Sequence, residues 1–222
     1  MKFEVKKIKK LTKLKWIILF ICIVGFLEIS LGVFSNELMK RDIIGYEIVN
    51  KYLISDFVTP IVKIITQFGG LIVIFILATI STILIKNKRI GISIYLNLFI
   101  IGSLNQILKY IVQRPRPIGF RLIDESGYSF PSGHSMASAA FYGFYIYLVY
   151  KNVKSKKKKI IIITLLGLLI LLVGISRIYL GVHYTTDVIA GFLVSISYLT
   201  IYTSLINDFI EDKRETLNKK NN

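Results

Sequence analysis

Apolar residues along the chain fall into runs too long and too continuous to form one face of a soluble helix. Trp16 to Phe34, Gly69 to Ile85, Ile90 to Tyr110, Ser132 to Tyr150, Ile160 to Ile175 and Tyr184 to Ile206 are each mostly apolar, and a helix that crosses a bilayer needs roughly 17 to 25 such residues. The pattern predicts an all-α, polytopic membrane fold with six spans at 16–34, 69–85, 90–110, 132–150, 160–175 and 184–206. A basic N-terminus, 1–15, precedes them and a charged tail, 207–222, follows. The first run has the basic flank of a signal peptide, but it is long, and Phe34-Ser35-Asn36-Glu37 offers no small-residue cleavage site. It reads as a retained first span.

Between the first two spans, Ser35 to Phe68 is too polar to cross a membrane. Ile44, Ile48 and Tyr52, then Leu53 and Phe57, recur at helical spacing, which predicts interfacial helices that Pro60 should divide. A lid or lipid entrance and a plain amphipathic cover both fit this segment. No fixed-period repeat and no long linker appears, so 16–206 is expected to form one domain.

Composition agrees with the pattern: 54% of residues are hydrophobic and the mean hydropathy is +0.62. The formal charge of +16 could mark a nucleic-acid binder, but Lys and Arg here punctuate apolar runs instead of gathering on one soluble face. No nucleic-acid partner is expected; the bilayer is. Of the 29 Lys and Arg residues, the N-terminus, the loops after the second and fourth spans and the tail carry 7, 3, 6 and 4, leaving nine for the other side. The positive-inside rule therefore predicts a plasma-membrane protein with both termini cytoplasmic. The run Lys156 to Lys159 reads as a topology-setting loop. Cys22, the only cysteine, rules out an intrachain disulfide.

Three polar clusters then fall at the outer ends of spans three to six. The first, Lys109 to Pro117 (K-Y-I-V-Q-R-P-R-P), ends a helix and carries Arg116 on a loop stiffened by Pro115 and Pro117. The second, Phe130-Pro131-Ser132-Gly133-His134-Ser135, opens span four. Ser132 is placed to cap that helix, and the unpaired amides of its first turn, uncrowded at Gly133, offer an anion site beside His134. The third, Ser176 to Asp187 (S-R-I-Y-L-G-V-H-Y-T-T-D), puts His183 and Asp187 four residues apart and so on one helix face. The carboxylate can accept one imidazole N–H, which fixes the tautomer and leaves the other nitrogen's lone pair exposed. Arg177 adds a bidentate phosphate donor. Each cluster alone could be a snorkelling cation, a capped helix or an ordinary surface hydrogen bond. Together they gather both histidines of the chain beside fixed positive charge at one membrane depth, where ionisable groups are costly and usually functional.

These segments, Lys109-x6-Arg116-Pro117, Pro131-Ser132-Gly133-His134 and Ser176-Arg177-x5-His183-x3-Asp187, resemble the three signature motifs of the type 2 phosphatidic acid phosphatase superfamily, and in particular its bacterial membrane lipid phosphatases. The resemblance implies catalytic roles for His183 as nucleophile, Asp187 as its support and His134 as acid and then base. It implies phosphate binding by Lys109, Arg116, Ser132, Gly133 and Arg177, no metal, and no cofactor. The implied substrate is a membrane lipid phosphate at the extracytoplasmic face: phosphatidylglycerophosphate, phosphatidate or undecaprenyl pyrophosphate. A non-enzymatic anion carrier or channel would use the same cations, but it has no need of a carboxylate-oriented imidazole facing a second histidine.

Other polar residues have ordinary roles. Glu28, Asn97, Asn105 and Gln106 are expected to bond between helices, Trp16 to anchor at the interface, and Tyr142, Tyr145, Tyr147 and Tyr150 to pack or face headgroups. Arg114, Arg121, Asp124 and Glu125 are expected to be solvated loop charges.

Overall fold

The computed structural model describes the backbone of residues 2–35, 39–119 and 121–211, and the side chains of all of these except 2–12, 39–41, 50 and 53. The tail expected over 207–222 thus lies outside the described residues from 212 onward, as does the side chain of Leu53. All regular structure among them is helical: α1 (Lys2–Phe34), α2 (Met39–Leu53), α3 (Val58–Gln67), α4 (Leu71–Ile85), α5 (Lys88–Val112), α6 (Gly133–Asn152), α7 (Lys156–Tyr179) and α8 (Thr185–Ile210).

The protein is an all-α, multi-pass membrane protein. Within α1, α5, α7 and α8, four stretches are long and apolar enough to cross a bilayer unaided. α3 and α4 reach a spanning length only as a pair, bent by 55° at Phe68-Gly69-Gly70, so the expected span 69–85 is too short by itself. The expected fourth span, α6, exists as a 20-residue helix but falls short on apolarity. The reason is its position. α6 packs against α5, α7 and α8, so its Ser135, Ser138, Ala139 and Ala140 are buried against other helices and never meet lipid. The lipid-facing surface is instead made by residues such as Phe20, Leu31, Ile83, Leu84 and Leu205, all strongly exposed.

The segment between the first two spans forms two helices, as expected, but the break falls at Ile54–Phe57 and not at Pro60. Pro60 sits in the first turn of α3, where its missing N–H has no intrahelical partner to lose. α3 packs on α7, while α2 packs on α7 and α8.

Polar residues in the spans divide by the face they occupy. Asn97 Nδ2 donates to Ala140 O (2.9 Å), between helices as expected, while Asn105 Nδ2 donates to Pro131 O in the loop before α6 (3.1 Å) and to Met136 Sδ on α6 (3.1 Å). Glu28 departs from that expectation: it is exposed and unbonded among the described residues. α1 turns the stripe Leu19, Cys22, Ser30 and Val33 inward against its neighbours, and Glu28 lies off it. The tyrosines of α6 pack and cap: Tyr142 Oη donates to Phe68 O (2.8 Å) and Tyr147 Oη to Asn207 Oδ1 (2.7 Å), whereas Tyr150 is exposed.

Candidate active site

Because α5 to α8 alternate in direction, the C-terminal ends of α5 and α7 meet the N-terminal ends of α6 and α8. All three polar clusters come together at that end.

The site begins with the turn that delivers His183. α7 stops at Leu180, whose N–H bonds Ser176 O (2.9 Å), and Gly181 follows with φ +72, a left-handed conformation that a side chain would strain. The chain then runs through Val182 to His183 and re-enters helix at Thr185. Asp187, at the third helical position, accepts from Tyr184 N (3.0 Å) and so caps α8 while holding His183. His183 Nδ1 lies 3.3 Å from Asp187 Oδ2, and its Nε2 lies 3.1 Å from Arg116 Nη1. A guanidinium cannot accept a hydrogen bond, so Nε2 must carry the lone pair and Nδ1 the proton. Burial first, then the neighbouring Arg177, Arg116 and Lys109, push the imidazole well below the ordinary histidine range and keep it neutral.

Arg116 is clamped by carbonyls, donating from Nε to Gly127 O (3.0 Å) and from Nη2 to Ser126 O (2.9 Å). Lys109 donates to Tyr128 O. Arg177 is almost wholly buried: Nη1 donates to Thr66 Oγ1 on α3 (2.9 Å), Nη2 pairs with Glu125, and Nε has no partner among the described residues. Burial opposes ionisation of Glu125, but Arg177 and then Arg116 outweigh it and hold the carboxyl below its usual range.

Ser132 is the N-cap of α6, its hydroxyl accepting from Ser135 Oγ (2.9 Å) and more distantly from Ser135 N (3.4 Å). Ser132 N donates to Asp187 O (3.0 Å), tying the start of α6 to the start of α8. Gly133 abuts Asn105: a Cβ there would stand 3.0 Å from Asn105 Oδ1.

A cavity of about 680 Å³ opens over these groups. Lys109, Arg116, Gly133, His134 and His183 line it. Ser132, Arg177 and Asp187 are buried just behind its lining. Away from the cations the wall is apolar, with Leu98, Phe99, Ile101, Met136 and Ala137. Five of its residues, Leu71, Leu98, Ile101, Gly102 and Ala137, also line an apolar pocket of about 390 Å³ between α4 and α5. Among the described residues, no three His, Cys, Asp or Glu side chains cluster at metal-binding spacing.

Two expected loop charges are nothing of the kind. Arg114 is buried, donating from Nη1 to Asp187 Oδ1 (2.7 Å) and from Nη2 to Asp42 Oδ2 (2.5 Å), with Tyr184 stacked on its guanidinium at 4.1 Å. Glu125 is the ion-pair partner of Arg177. Arg121 and Asp124 are exposed, as expected. Asp42 and Thr66 carried no sequence signal. They come from α2 and α3 and meet partners 72 and 111 residues away, contacts that no local spacing announces.

Residues 71–211 match the family model of the PAP2 superfamily. The chain is 41% identical over 90 residues to phosphatidylglycerophosphatase B of Bacillus subtilis, covering 40% of this chain and 44% of that protein. It is 27% identical over 124 residues to an undecaprenyl-diphosphatase of Sulfolobus acidocaldarius, covering 52% and 56%. These matches span about half the length of either relative. The fold is similar to the crystal structure of a transmembrane PAP2 type phosphatidylglycerolphosphate phosphatase from Bacillus subtilis, with a TM-score of 0.80, 27% identity, and coverage of 88% of this chain and 98% of that one.

Proposed function

The chain belongs to the PAP2 superfamily, and from that membership we propose that it is an integral membrane lipid phosphatase, hydrolysing the terminal phosphate of a phospholipid or prenyl pyrophosphate through a phosphohistidine on His183. The observation that carries the reading is the neutral, buried imidazole with Nδ1 on Asp187 and Nε2 aimed at a wall of cations. A structural histidine would gain nothing from facing three of them.

The reaction follows from the groups present. The phosphate enters among Lys109, Arg116 and Arg177 and the amides at the start of α6, which bind the nonbridging oxygens. Arg116 turns from His183 Nε2 onto an oxygen and frees the lone pair. With the phosphate's negative charge bound beside it, His134 takes up a proton; Nε2 attacks phosphorus in line, the P–O bond to the lipid breaks, and the leaving oxygen takes that proton. Charge that develops on the His183 ring is balanced by Asp187. His134, now neutral, takes a proton from water, whose oxygen attacks phosphorus. The P–N bond breaks, inorganic phosphate leaves, and both histidines return to their starting forms. The three fixed cations supply the transition-state charge, so no metal takes part in this scheme.

The apolar wall and the adjoining pocket between α4 and α5 suit an acyl or prenyl chain entering from the bilayer. Phosphatidylglycerophosphate, phosphatidate and undecaprenyl pyrophosphate all present the required phosphate on such an anchor. Charge counting favours an extracytoplasmic site within a single 16–206 phosphatase domain, with residues 1–15 and the 207–222 tail in the cytoplasm.

The test is phosphate release from each of the three lipids by purified protein in detergent with a chelator present. Release by wild type, lost in His183→Ala, is expected. Undiminished release by that variant, or none without added magnesium, would overturn the proposal.

A further inference from the structure

Asp187 has two oxygens, and they are shared between two different tasks. Oδ2 serves His183 and the Tyr184 amide; Oδ1 is taken by Arg114. Arg114 is itself divided, with its second terminal nitrogen on Asp42 of α2. Asp42 completes its own bonding on the catalytic helix: Oδ1 accepts from Thr186 N (3.0 Å) and Oδ2 from Thr186 Oγ1 (2.7 Å). Thr186 Oγ1 also lies 2.8 Å from Arg114 Nη1. α2 is pressed close here, since a Cβ on Gly45 would stand 2.6 Å from Thr185 Oγ1. Both charges of the chain are buried, and neither Asp42 nor Arg114 is among the residues lining the cavity.

We propose that Asp42 and Arg114 are positioning residues for His183, a charge-balanced chain by which interfacial helix α2 holds Asp187 in the orientation the nucleophile needs. The proposal rests on the reading of His183 as nucleophile. Without Asp42, Arg114 is free to rotate and take both oxygens of Asp187 in a bidentate pair, drawing Oδ2 off the imidazole. Without Arg114, two carboxylates face each other across the start of α8 with no cation between them. A misplacement of this kind costs rate while leaving the phosphate-binding groups in place.

The charges make the idea testable through His183 itself. The ring is faced by Asp187 from α8, Arg177 from α7, Lys109 from α5, His134 from α6 and Arg116 and Glu125 from the loop before α6. Against that constant background, Asp42→Asn removes one negative charge, leaving Arg114 paired with Asp187 alone, and Arg114→Gln removes the positive charge between two carboxylates. The first makes the His183 ring harder to protonate and the second easier, each by about half to one pH unit, and the double variant falls back between them.

The experiment is paired. Histidine NMR titration in detergent, assigned with His134→Ala, reads the ring directly, and steady-state kinetics on a lipid phosphate read the consequence. Expected are opposite titration shifts in the two single variants, and kcat lower by about tenfold in Asp42→Asn with KM unchanged within about twofold. Shifts of the same sign, or none, in folded protein would overturn the proposal, as would an unaltered kcat. Thr186→Val, which removes the hydroxyl without altering charge, decides the matter if the charge variants do not fold: kcat should fall while the titration stays in place, and an unchanged kcat refutes the role. A wild type that releases no phosphate would sink the phosphatase reading alone, because the titrations judge Asp42 and Arg114 without it.

Discussion

Asp187 does two jobs at the residue scale, capping α8 and fixing the tautomer of His183. Asp187→Asn keeps the size but offers an N–H where the ring needs an acceptor, so kcat should fall by about 10²- to 10⁴-fold with little change in KM; steady-state kinetics on a detergent-solubilised lipid phosphate check this. The pH dependence follows from the direction of the His183 shift. Its folded value lies well below that of an ordinary histidine, so the neutral, attacking form persists as pH falls below 6.5 and is lost only at the depressed value. The acid limb of kcat/KM should therefore lie below pH 6.5, and a limb at or above it would contradict a neutral nucleophile at rest. The His183 and Asp187 pair was legible from its four-residue spacing, although His183 stands just before α8 and the pair forms because Asp187, at the third helical position, reaches back over the helix start. Arg114 and Glu125 were misread as solvated because their partners are 73 and 52 positions away and only folding brings them together. The available signal was thin: a second arginine, Arg114, in an Arg-Pro-Arg-Pro run beside a membrane, where a buried partner is the only cheap arrangement.

Among the helices, α6 shows what an apolarity reading can miss. Its run was visible at 132–150, yet the helix is central and lined with small and hydroxylated residues that pack against α8. Close approach there depends on Gly191, where a Cβ would stand 3.0 Å from Ser132 O and 3.1 Å from Ser135 Cβ. Gly191→Ala must push α8 from the start of α6 and strain the Ser132 to Asp187 backbone bond, at a cost of about 1 to 3 kcal/mol. A lower unfolding temperature together with reduced kcat is expected by thermal melting and kinetics in the same detergent; an unaltered protein would show that this contact is slack. Helices α2 and α3 were legible as elements but not in their attachment. α2 and α3 hold Arg114 and Arg177 through Asp42 and Thr66, contacts that depend on tertiary packing and leave no periodic trace.

For the whole molecule, antiparallel order brings four helix ends and three short clusters to one end of the bundle, while Lys151 and Lys156 to Lys159 lie at the other. Given this separation of a reactive end from a basic end, the charge count predicts orientation and site location together. A reporter fused after Tyr150 is expected to be cytoplasmic and one inserted at Asp124 extracytoplasmic; the reverse pair would move the site inside. The central claim is a covalent one, and trapping the intermediate tests it most directly. Protein mixed with a lipid radiolabelled on its terminal phosphate and quenched in alkali, where a phosphorus–nitrogen bond survives, should carry label on His183 in the wild type. None should appear in His183→Ala, and label retained by that variant would contradict the assignment of the nucleophile.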